Sequence, residues 1–372
     1  MRLTRMNRMG RAVPIVVGVV LILSGQGAPA QATNPSAMRA GGYWVLTGPP
    51  VIDIRDHTAT LLPDGNVLVA GGQNSDPYLA QLYFPSSGGW FFTGRMTQGR
   101  YDHTATLLHD GRVLVAGGSG TSSAEVYDPA TGGWRTTGSL HVALEAQTAT
   151  LLPTGRVLVA GGLTSSGLAT RTAELYLPNK REWVSTGSMA FARDTAKGVL
   201  LPTGKVLVAG GENRNTKALS SAELYDPATG AWTATGSMNQ GRVEFTMTLL
   251  PDGKVLAAGG ADSAGTITAT AEVYDPSTGM WTSVGNMSDP RRWASAVLLP
   301  DGPALVAGGD NGPLTIASAD LFDPATETWS STGSMNNARE MYTLTLLPNG
   351  EVLAAGGLGG SRTAELYIPP SA

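Results

Sequence analysis

A glycine doublet that recurs seven times at a nearly constant interval most constrains how this chain can fold. Each doublet follows a short apolar run rich in β-branched residues, such as Val67 to Ala70. A run of this length, bounded by turn residues, is typical of a buried strand, and a period of this size is typical of repeat architectures. The chain is therefore predicted to consist of seven copies of one β-rich unit. The doublets begin 44 to 49 residues apart, at Gly71, Gly117, Gly161, Gly210, Gly259, Gly308 and Gly356.

Six of the seven copies contain the pattern of four strands. A leucine pair and a Pro63-Asp64-Gly65 turn precede the apolar run in the first copy, and such a turn joins two strands because proline fixes φ and glycine accepts a positive φ. After the doublet come a strand written AELY or AEVY, an Asp-Pro turn and a tryptophan. Four short strands joined by tight turns predict a propeller blade.

The spacings between these landmarks are fixed with one exception. The second leucine lies nine residues before the doublet, the aromatic residue lies seven before the tryptophan, and the tryptophan lies eighteen before the next repeat's second leucine. Only the stretch from doublet to aromatic varies, from nine to fourteen residues. Because the strands are antiparallel, these variable loops share one face with the crossings between blades. We call it the variable face and expect binding there, with neutral loop variation as the alternative.

This pattern of a glycine doublet after an apolar strand, followed by a separated tyrosine and tryptophan, resembles the kelch family over Trp44 to Pro369. The resemblance implies an all-β fold, a seven-bladed kelch β-propeller with four-stranded antiparallel blades. Copper-radical oxidases share a similar propeller and use a tyrosine crosslinked to a cysteine. This chain contains no cysteine, which excludes that chemistry in its known form. We assign no cofactor, no metal and no catalytic residue.

The two ends of the repeat array are predicted to pair. The seventh copy stops at Tyr367 without a tryptophan strand, while Trp44 stands eighteen residues before Leu62 with no strands of its own. A strand from Tyr43 to Thr47 is therefore expected to complete the last blade, so that the propeller occupies residues 43–372. Such closure removes the exposed edges that invite aggregation.

Residues 1–30 are interpreted as a signal peptide. Four arginines precede an apolar run of eleven residues, Val13 to Leu23, and Ala28-Pro29-Ala30 follows, which is the pattern of a cleaved leader; an uncleaved anchor is the alternative. Residues 31–42 are expected to form a flexible lead. The mature protein is predicted to be secreted, extracellular or periplasmic, monomeric and without membrane contact.

Charge excludes one class of partner. Without the four arginines of the leader, 21 basic side chains stand against 29 acidic ones, a formal charge of −8. Nucleic-acid binding requires basic patches, so no nucleic-acid partner is expected.

Two columns of the repeat are predicted to bind ligand at the mouth of the central channel. The first is an arginine placed before the innermost strand in five copies and replaced by Ile54 and Leu144 in the others; kelch relatives use arginines of this region to contact ligands. Guanidinium groups there would favour a carboxylate, a phosphate or an acidic peptide. The alternative is that they bind acids or carbonyls and hold blades together. These arginines are Arg100, Arg193, Arg242, Arg291 and Arg339.

The second column is the residue after each doublet, where Glu212 and Asp310 could partly neutralise the arginines. The sign of the charge at the mouth therefore stays open. The polar members predicted to bind ligand are Gln73, Ser119, Glu212 and Asp310.

Other recurring polar residues are interpreted as structural. An acid two residues before the aromatic of each blade, such as Glu125, indicates a repeated hydrogen bond, and Gln81 replaces it in the first copy. His57 and His103 occupy the same place in adjacent copies beside aspartates. A metal site is one reading of these histidines, but equivalent positions are spread around a ring, which favours a structural role.

Three functions remain open at this level. The first is a secreted, non-catalytic binding or scaffold module for a protein or glycan. The second is an extracellular carbohydrate-active enzyme such as a sugar mutarotase or epimerase, and the third is a structural envelope component. No nucleophile-elbow, zincin or phosphate-loop pattern occurs in the required context, and the first function is preferred.

Overall fold

A computed structural model describes residues 41–360 and 362–370 of the chain. These residues form seven four-stranded antiparallel sheets and contain no helix, so none of their segments is a helix able to span a bilayer. The predicted signal peptide (1–30) and residues 31–40 of the predicted lead lie outside the described residues.

Blades 1 to 4 each contain four strands, numbered in chain order with the innermost strand first. A short additional pair, β10 with β13, lies on the variable side of blade 3. The strands are β2 (Thr58–Leu61), β3 (Val67–Ala70), β4 (Ala80–Phe84) and β5 (Gly89–Phe92) in blade 1; β6 (Thr104–Leu107), β7 (Val113–Ala116), β8 (Ala124–Asp128) and β9 (Gly133–Thr136) in blade 2; β10 (Leu144–Glu145), β11 (Thr148–Leu151), β12 (Val157–Ala160), β13 (Leu163–Thr164), β14 (Ala173–Leu177) and β15 (Glu182–Ser185) in blade 3; β16 (Lys197–Leu200), β17 (Val206–Ala209), β18 (Ala222–Asp226) and β19 (Ala231–Thr235) in blade 4.

Blades 5 and 6 follow the same order, and blade 7 takes its outermost strand from the N-terminal side of the domain. The remaining strands are β20 (Thr246–Leu249), β21 (Val255–Ala258), β22 (Thr270–Asp275) and β23 (Met280–Asn286) in blade 5; β24 (Ser295–Leu298), β25 (Ala304–Ala307), β26 (Ala319–Asp323) and β27 (Thr328–Thr332) in blade 6; β28 (Thr343–Leu346), β29 (Val352–Ala355), β30 (Ala364–Ile368) and β1 (Tyr43–Thr47) in blade 7.

The ring is closed by pairing β1 with β30. The strands are antiparallel, with Trp44 opposite Tyr367 and their ring centroids 5.1 Å apart. The Trp44 indole Nε1 donates a hydrogen bond to the Gly333 carbonyl of blade 6 at 2.8 Å. The first strand of the domain is thus held by the sixth and seventh blades together, and the seven-bladed all-β fold predicted from the repeats is confirmed.

The core lies between neighbouring blades. The second strand of every blade is buried along its whole length. One representative cluster joins Val67 and Val69 of blade 1 to Leu353 and Ala355 of blade 7. Burial of apolar surface therefore stabilises the contact of each blade with the next, rather than any blade alone.

Glycine doublets permit this close approach of blades. Gly71 and Gly72 have φ of 65° and 107°, a region that glycine adopts without strain. A side chain on Gly71 would place its Cβ 2.3 Å from the Arg100 carbonyl oxygen of blade 2. Both conformation and space therefore require glycine at this position.

The two tight turns of every blade lie on one face of the disc. In blade 5 the turn between the first two strands carries Lys254, whose Nζ lies 3.1 Å from Glu327 Oε1 in the turn between the last two strands of blade 6. We call this the fixed face. The variable loops and the crossings between blades lie on the opposite side.

Candidate functional site

The five repeated arginines lie inside the blades, not at the mouth. Their exposed fraction is 0 to 1%. In Arg100, Nη1 donates to the carbonyl oxygens of Gly117 and Ser123, and Nη2 donates to Ser123 Oγ and to Glu125 Oε1 at 2.9 Å. This burial corrects the mouth location predicted for the five, because each guanidinium is enclosed within the propeller and hydrogen-bonded there. The set is Arg100, Arg193, Arg242, Arg291 and Arg339.

The acids paired with these arginines hold the crossings between blades. Glu125 accepts backbone N–H groups of Thr97 and Gln98, which lie between β5 and β6. Glu223, Glu272 and Glu365 make the same pair of backbone contacts, whereas Asp320 accepts a hydrogen bond from the Ser288 hydroxyl. The ion-pair distances of the five acids are 2.7 to 3.0 Å. The structural hydrogen bond expected of this acidic column is present, and the arginines serve the alternative role named from the sequence.

Blades 1 and 3 lack the arginine and compensate differently. In blade 1 the acid is also absent, since Ile54 stands for the arginine and Gln81 for the acid, and Gln81 Oε1 accepts the Val51 N–H. Blade 3 keeps its buried acid, Glu174, whose Oε2 lies 2.6 Å from His141 Nδ1. Neither blade thus leaves a buried carboxylate without a polar partner, as the high cost of such a group requires.

His57 and His103 connect inner strands of neighbouring blades. His57 Nε2 lies 3.0 Å from Thr343 Oγ1, and His103 Nε2 lies 3.0 Å from Thr58 Oγ1. Burial lowers the pKa of His57 to about 3 and lowers that of His103 well below 6.5, so both imidazoles are neutral. These contacts support the structural reading of the two histidines.

A ring of backbone hydrogen bonds surrounds the mouth of the channel on the variable face. Each blade contributes one non-glycine residue with φ between 50° and 59°, two positions after the arginine column. The N–H of one such residue donates to the carbonyl oxygen of its neighbour, with six of these contacts at 2.9 to 3.4 Å. The ring consists of Asp56, Asp102, Ala146, Thr195, Glu244, Trp293 and Met341.

A second circle surrounds this ring. The residue just after the arginine column pairs with the residue after the glycine doublet, as Asp194 does with Glu212 and Arg292 with Asp310. The structure therefore brings Gln73, Ser119, Glu212 and Asp310 to the rim of the mouth. Their binding of a ligand stays a prediction.

The mouth formed by these three columns is rich in acids. It contains two arginines, Arg55 and Arg292, against eight carboxylates. Two of its columns could not be predicted from the sequence, because their residues differ from blade to blade and carry no repeat signal. The acids are Asp56, Asp102, Glu145, Asp194, Glu212, Glu244, Asp310 and Glu340.

Four of the charged residues form a cluster at blades 5 to 7, which we call the acidic wall: Glu244, Arg292, Asp310 and Glu340. Arg292 Nη1 lies 3.4 Å from Glu244 Oε2, and its Nε lies 3.7 Å from Asp310 Oδ1. Its guanidinium carbon lies 4.0 Å from the centroid of the Trp293 ring. One guanidinium is therefore divided between two carboxylates and an aromatic face.

Glu340 is the most buried carboxylate of the wall, with 4% of its surface exposed. Within the described part of the chain, its Oε2 has no hydrogen-bond partner, and its Oε1 accepts from Thr315 Oγ1 at 3.5 Å. Burial, followed by repulsion from Asp310, raises the pKa of Glu340 to about 7. The carboxyl group therefore holds a proton in part of the molecules at neutral pH.

A groove of about 480 Å³ lies at the mouth between blades 7 and 1. Its lining includes Arg55, Gln73 and Leu358, and also Arg362, whose Nε lies 3.3 Å from Asp53 Oδ1. We call this the junction groove. Its volume is in the range of small-ligand sites. With Arg55 and Arg362 against Asp53, its net charge is positive, whereas that of the acidic wall is negative.

Comparison with known proteins identifies a motif and a fold. A model described as "Kelch motif" matches residues 196–239 and 249–288. No curated protein matches the chain. A solved structure titled "Novel fungal alcohol oxidase with catalytic diversity among the AA5 family, in complex with copper" is 20% identical with a TM-score of 0.72, covering 90% of this chain and 77% of that one. A second, "Structure of YjhT", is 17% identical with a TM-score of 0.58, covering 73% and 95%. At these identities the likeness shows the fold alone.

The residues of this chain do not fit the copper of the oxidase. The sequence has no cysteine, and among residues 41–360 and 362–370 no group of three or more histidine, aspartate, glutamate or cysteine side chains could hold a metal ion. His57 and His103 are already hydrogen-bonded to threonines.

Proposed function

Since this chain is a kelch-repeat β-propeller, we propose that it is a secreted binding module that holds a basic segment of a partner protein at the mouth of its variable face. Kelch propellers commonly act as binding modules. The leader pattern of residues 1–30 supports export. The proposal concerns a protein ligand first, because lysine and arginine side chains are the common cations that match a mouth of this charge.

One observation carries the proposal: eight carboxylates against two arginines at the mouth. The arginines that would have favoured an anion are buried and bonded within their blades. A concave opening with charge of one sign attracts ligands of the opposite sign and raises their association rate. A cationic ligand is therefore the better match.

Fluorescence anisotropy with labelled hexalysine tests this function. We expect wild-type protein to bind the probe and Asp310→Asn, at the rim of the mouth, to weaken binding about five- to tenfold at low ionic strength. Asp301→Asn makes the same charge change in an exposed turn of the fixed face and is expected to change affinity less than about twofold. Equal effects of the two variants would show that the attraction is a property of net charge and not of the mouth.

A glycan array probed with the same protein separates the two ligand classes considered from the sequence. If uncharged glycans bind and Asp310→Asn does not change their binding, the ligand is a sugar and not a basic protein segment. Binding to hexalysine without glycan binding supports the proposed class.

A second candidate function, a sugar mutarotase or epimerase, is favoured by Glu340. A buried carboxyl group with a pKa of about 7 beside Asp310 and Glu244 has the acid–base property that such an enzyme needs. Nuclear magnetic resonance of aldose anomers, with wild type and Glu340→Gln, tests it. Acceleration of anomer exchange that disappears in the variant supports this function, and no acceleration by wild type excludes it for the sugars used.

A further inference from the structure

The acidic wall contains three carboxylates and one cation, Arg292. Arg292 approaches Glu244 and Asp310 only at 3.4 and 3.7 Å, which are longer than the 2.7 to 3.0 Å of the buried pairs inside the blades. Part of its charge faces the ring of Trp293 instead. The guanidinium is thus only a distant partner for Asp310, whose carboxylate it approaches beyond hydrogen-bond distance.

Glu340 has no cation of its own. No lysine, arginine or histidine nitrogen of the described residues lies within 4 Å of its carboxyl oxygens. It is nine-tenths buried, and Oε2 has no hydrogen-bond partner in the described part of the chain. A buried polar atom without a partner costs free energy unless a proton, a water or a ligand satisfies it.

The groups that act electrostatically on Glu340 are Asp310, Arg292 and Glu244, while Thr315 donates a hydrogen bond. The backbone of Glu340 pairs with Leu358, which carries no charge. Two of the three charged neighbours are therefore acids, and they disfavour the ionised form of Glu340 until another positive charge enters the wall.

We propose that the acidic wall binds one primary ammonium or guanidinium group and that Glu340 releases its proton when this cation arrives. This inference rests on the proposed function and names the anchoring site within it. The proton leaves Glu340 for solvent, the carboxylate forms, and the incoming cation together with Arg292 balances the negative charge of the wall. Binding and deprotonation are linked, because each favours the other.

The linkage has a defined pH dependence. Below about pH 7 the cation must displace a proton, whereas above it Glu340 is already ionised. Affinity for a cationic probe is therefore expected to rise between pH 6 and pH 8, by up to about tenfold, and then to level off. Glu340→Gln keeps the shape of the side chain but has no proton to release, so its affinity is expected to be independent of pH over this range.

Calorimetry of hexalysine binding at pH 7, in two buffers with different ionisation enthalpies, counts the proton directly. Wild type is expected to release about half a proton per bound probe, since Glu340 is about half protonated at its pKa. Glu340→Gln is expected to release none, and Glu212→Gln, which alters an acid outside the wall, is expected to weaken binding but to keep the release.

The outcomes separate this inference from the proposed function. If hexalysine does not bind at all, the proposed function fails and the inference fails with it. If hexalysine binds at the mouth but the heat is the same in both buffers, or Glu340→Gln releases as many protons as wild type, the proposed function stands and the proton-linked site is wrong. Thermal unfolding of each variant verifies that it is folded.

Discussion

Arg291 and Arg292 are adjacent in the chain, but the first is buried inside a blade and the second lies at the mouth. The first is 1% exposed and bonded to Gly308, Ser318 and Asp320 inside blade 6. The second lies at the mouth, where the acidic wall holds it loosely. The same side chain is thus part of the scaffold at one position and part of a surface at the next. Inside the blades, charged residues recur at fixed positions and form close ion pairs. At the mouth, charged residues differ from blade to blade and the ion pairs of Arg292 are longer.

This difference indicates how the structural charged residues of a repeat protein can be distinguished from its functional ones. A charged residue that recurs at a fixed spacing performs a structural task common to the blades. Here the task is to hold the chain segment that crosses from the preceding blade. A charged residue that occurs in one blade only does not perform this shared task. The functional residues of this propeller are therefore expected among the positions that break the repeat.

The largest expected effect tests the scaffold side of the comparison. Arg242→Ala removes the partner of Glu272, whose carboxylate stays buried, and we expect a loss of about 3 to 5 kcal/mol in the free energy of unfolding. Arg292→Ala removes a mouth arginine of 29% side-chain exposure and is expected to cost less than about 1 kcal/mol. Urea denaturation at neutral pH measures both; similar losses would remove the distinction between the two regions.

A smaller effect, of opposite sign, is expected at the mouth. The pKa of Glu340 is raised from 4.5 to about 7 in the folded protein. The folded state therefore binds more protons than the unfolded state between these values, and Glu340 contributes stability at low pH that is lost as pH rises through about 7. Glu340→Gln is expected to stabilise the protein at pH 8 by on the order of 3 kcal/mol relative to wild type, and by far less at pH 5.

Urea titrations of both proteins at pH 5 and pH 8 check this. A difference that does not change with pH would mean that Glu340 titrates normally, and the mouth would then contain no strained acid.

The smallest effect concerns a neutral pair of the scaffold. Thr137 Oγ1 lies 2.7 Å from the Tyr176 hydroxyl, and six blade junctions have such a pair. At the junction of blades 5 and 6 both hydroxyls are absent, with Val284 and Phe322 at these positions. Thr137→Val is expected to cost about 1 kcal/mol, because it leaves the buried tyrosine hydroxyl without a partner.

Adding Tyr176→Phe to Thr137→Val is expected to restore most of that loss, as blade 6 does naturally. Thermal unfolding of the single and double variants measures the coupling. A double variant that is less stable than the single one would show that the two hydroxyls are not a unit.

Much of the scaffold could be predicted from sequence, since its signals repeat. The constant spacings predicted seven blades, the four strands of each and the two faces of the disc. They also predicted the structural role of acids such as Glu125, because a residue type that recurs in six of the seven blades serves the blade. Trp44 and Tyr367, at opposite ends of the array, likewise carried the spacing that placed β1 beside β30.

The mouth could not be predicted in the same way. Spacing placed Arg100 near the innermost strand but did not show the direction of its side chain, which turns inward to the carbonyl of Gly117. The tight turn after each arginine of this column has a residue with positive φ, such as Asp102 or Trp293. A bulky residue such as Trp293 gives no sequence signal for that conformation. The location of the arginines was therefore wrong, and the acidic wall was not anticipated.

The sign of the charge that the mouth recognises tests the central claim most directly. Hexalysine and hexaglutamate carry opposite charges on similar backbones, and anisotropy at low ionic strength measures both against the same protein. With the repeated arginines buried and the mouth rich in acids, we expect hexalysine to bind and hexaglutamate not to bind. Binding of hexaglutamate, weakened by Arg242→Ala in a variant that is still folded, would contradict the account and return the arginines to the mouth.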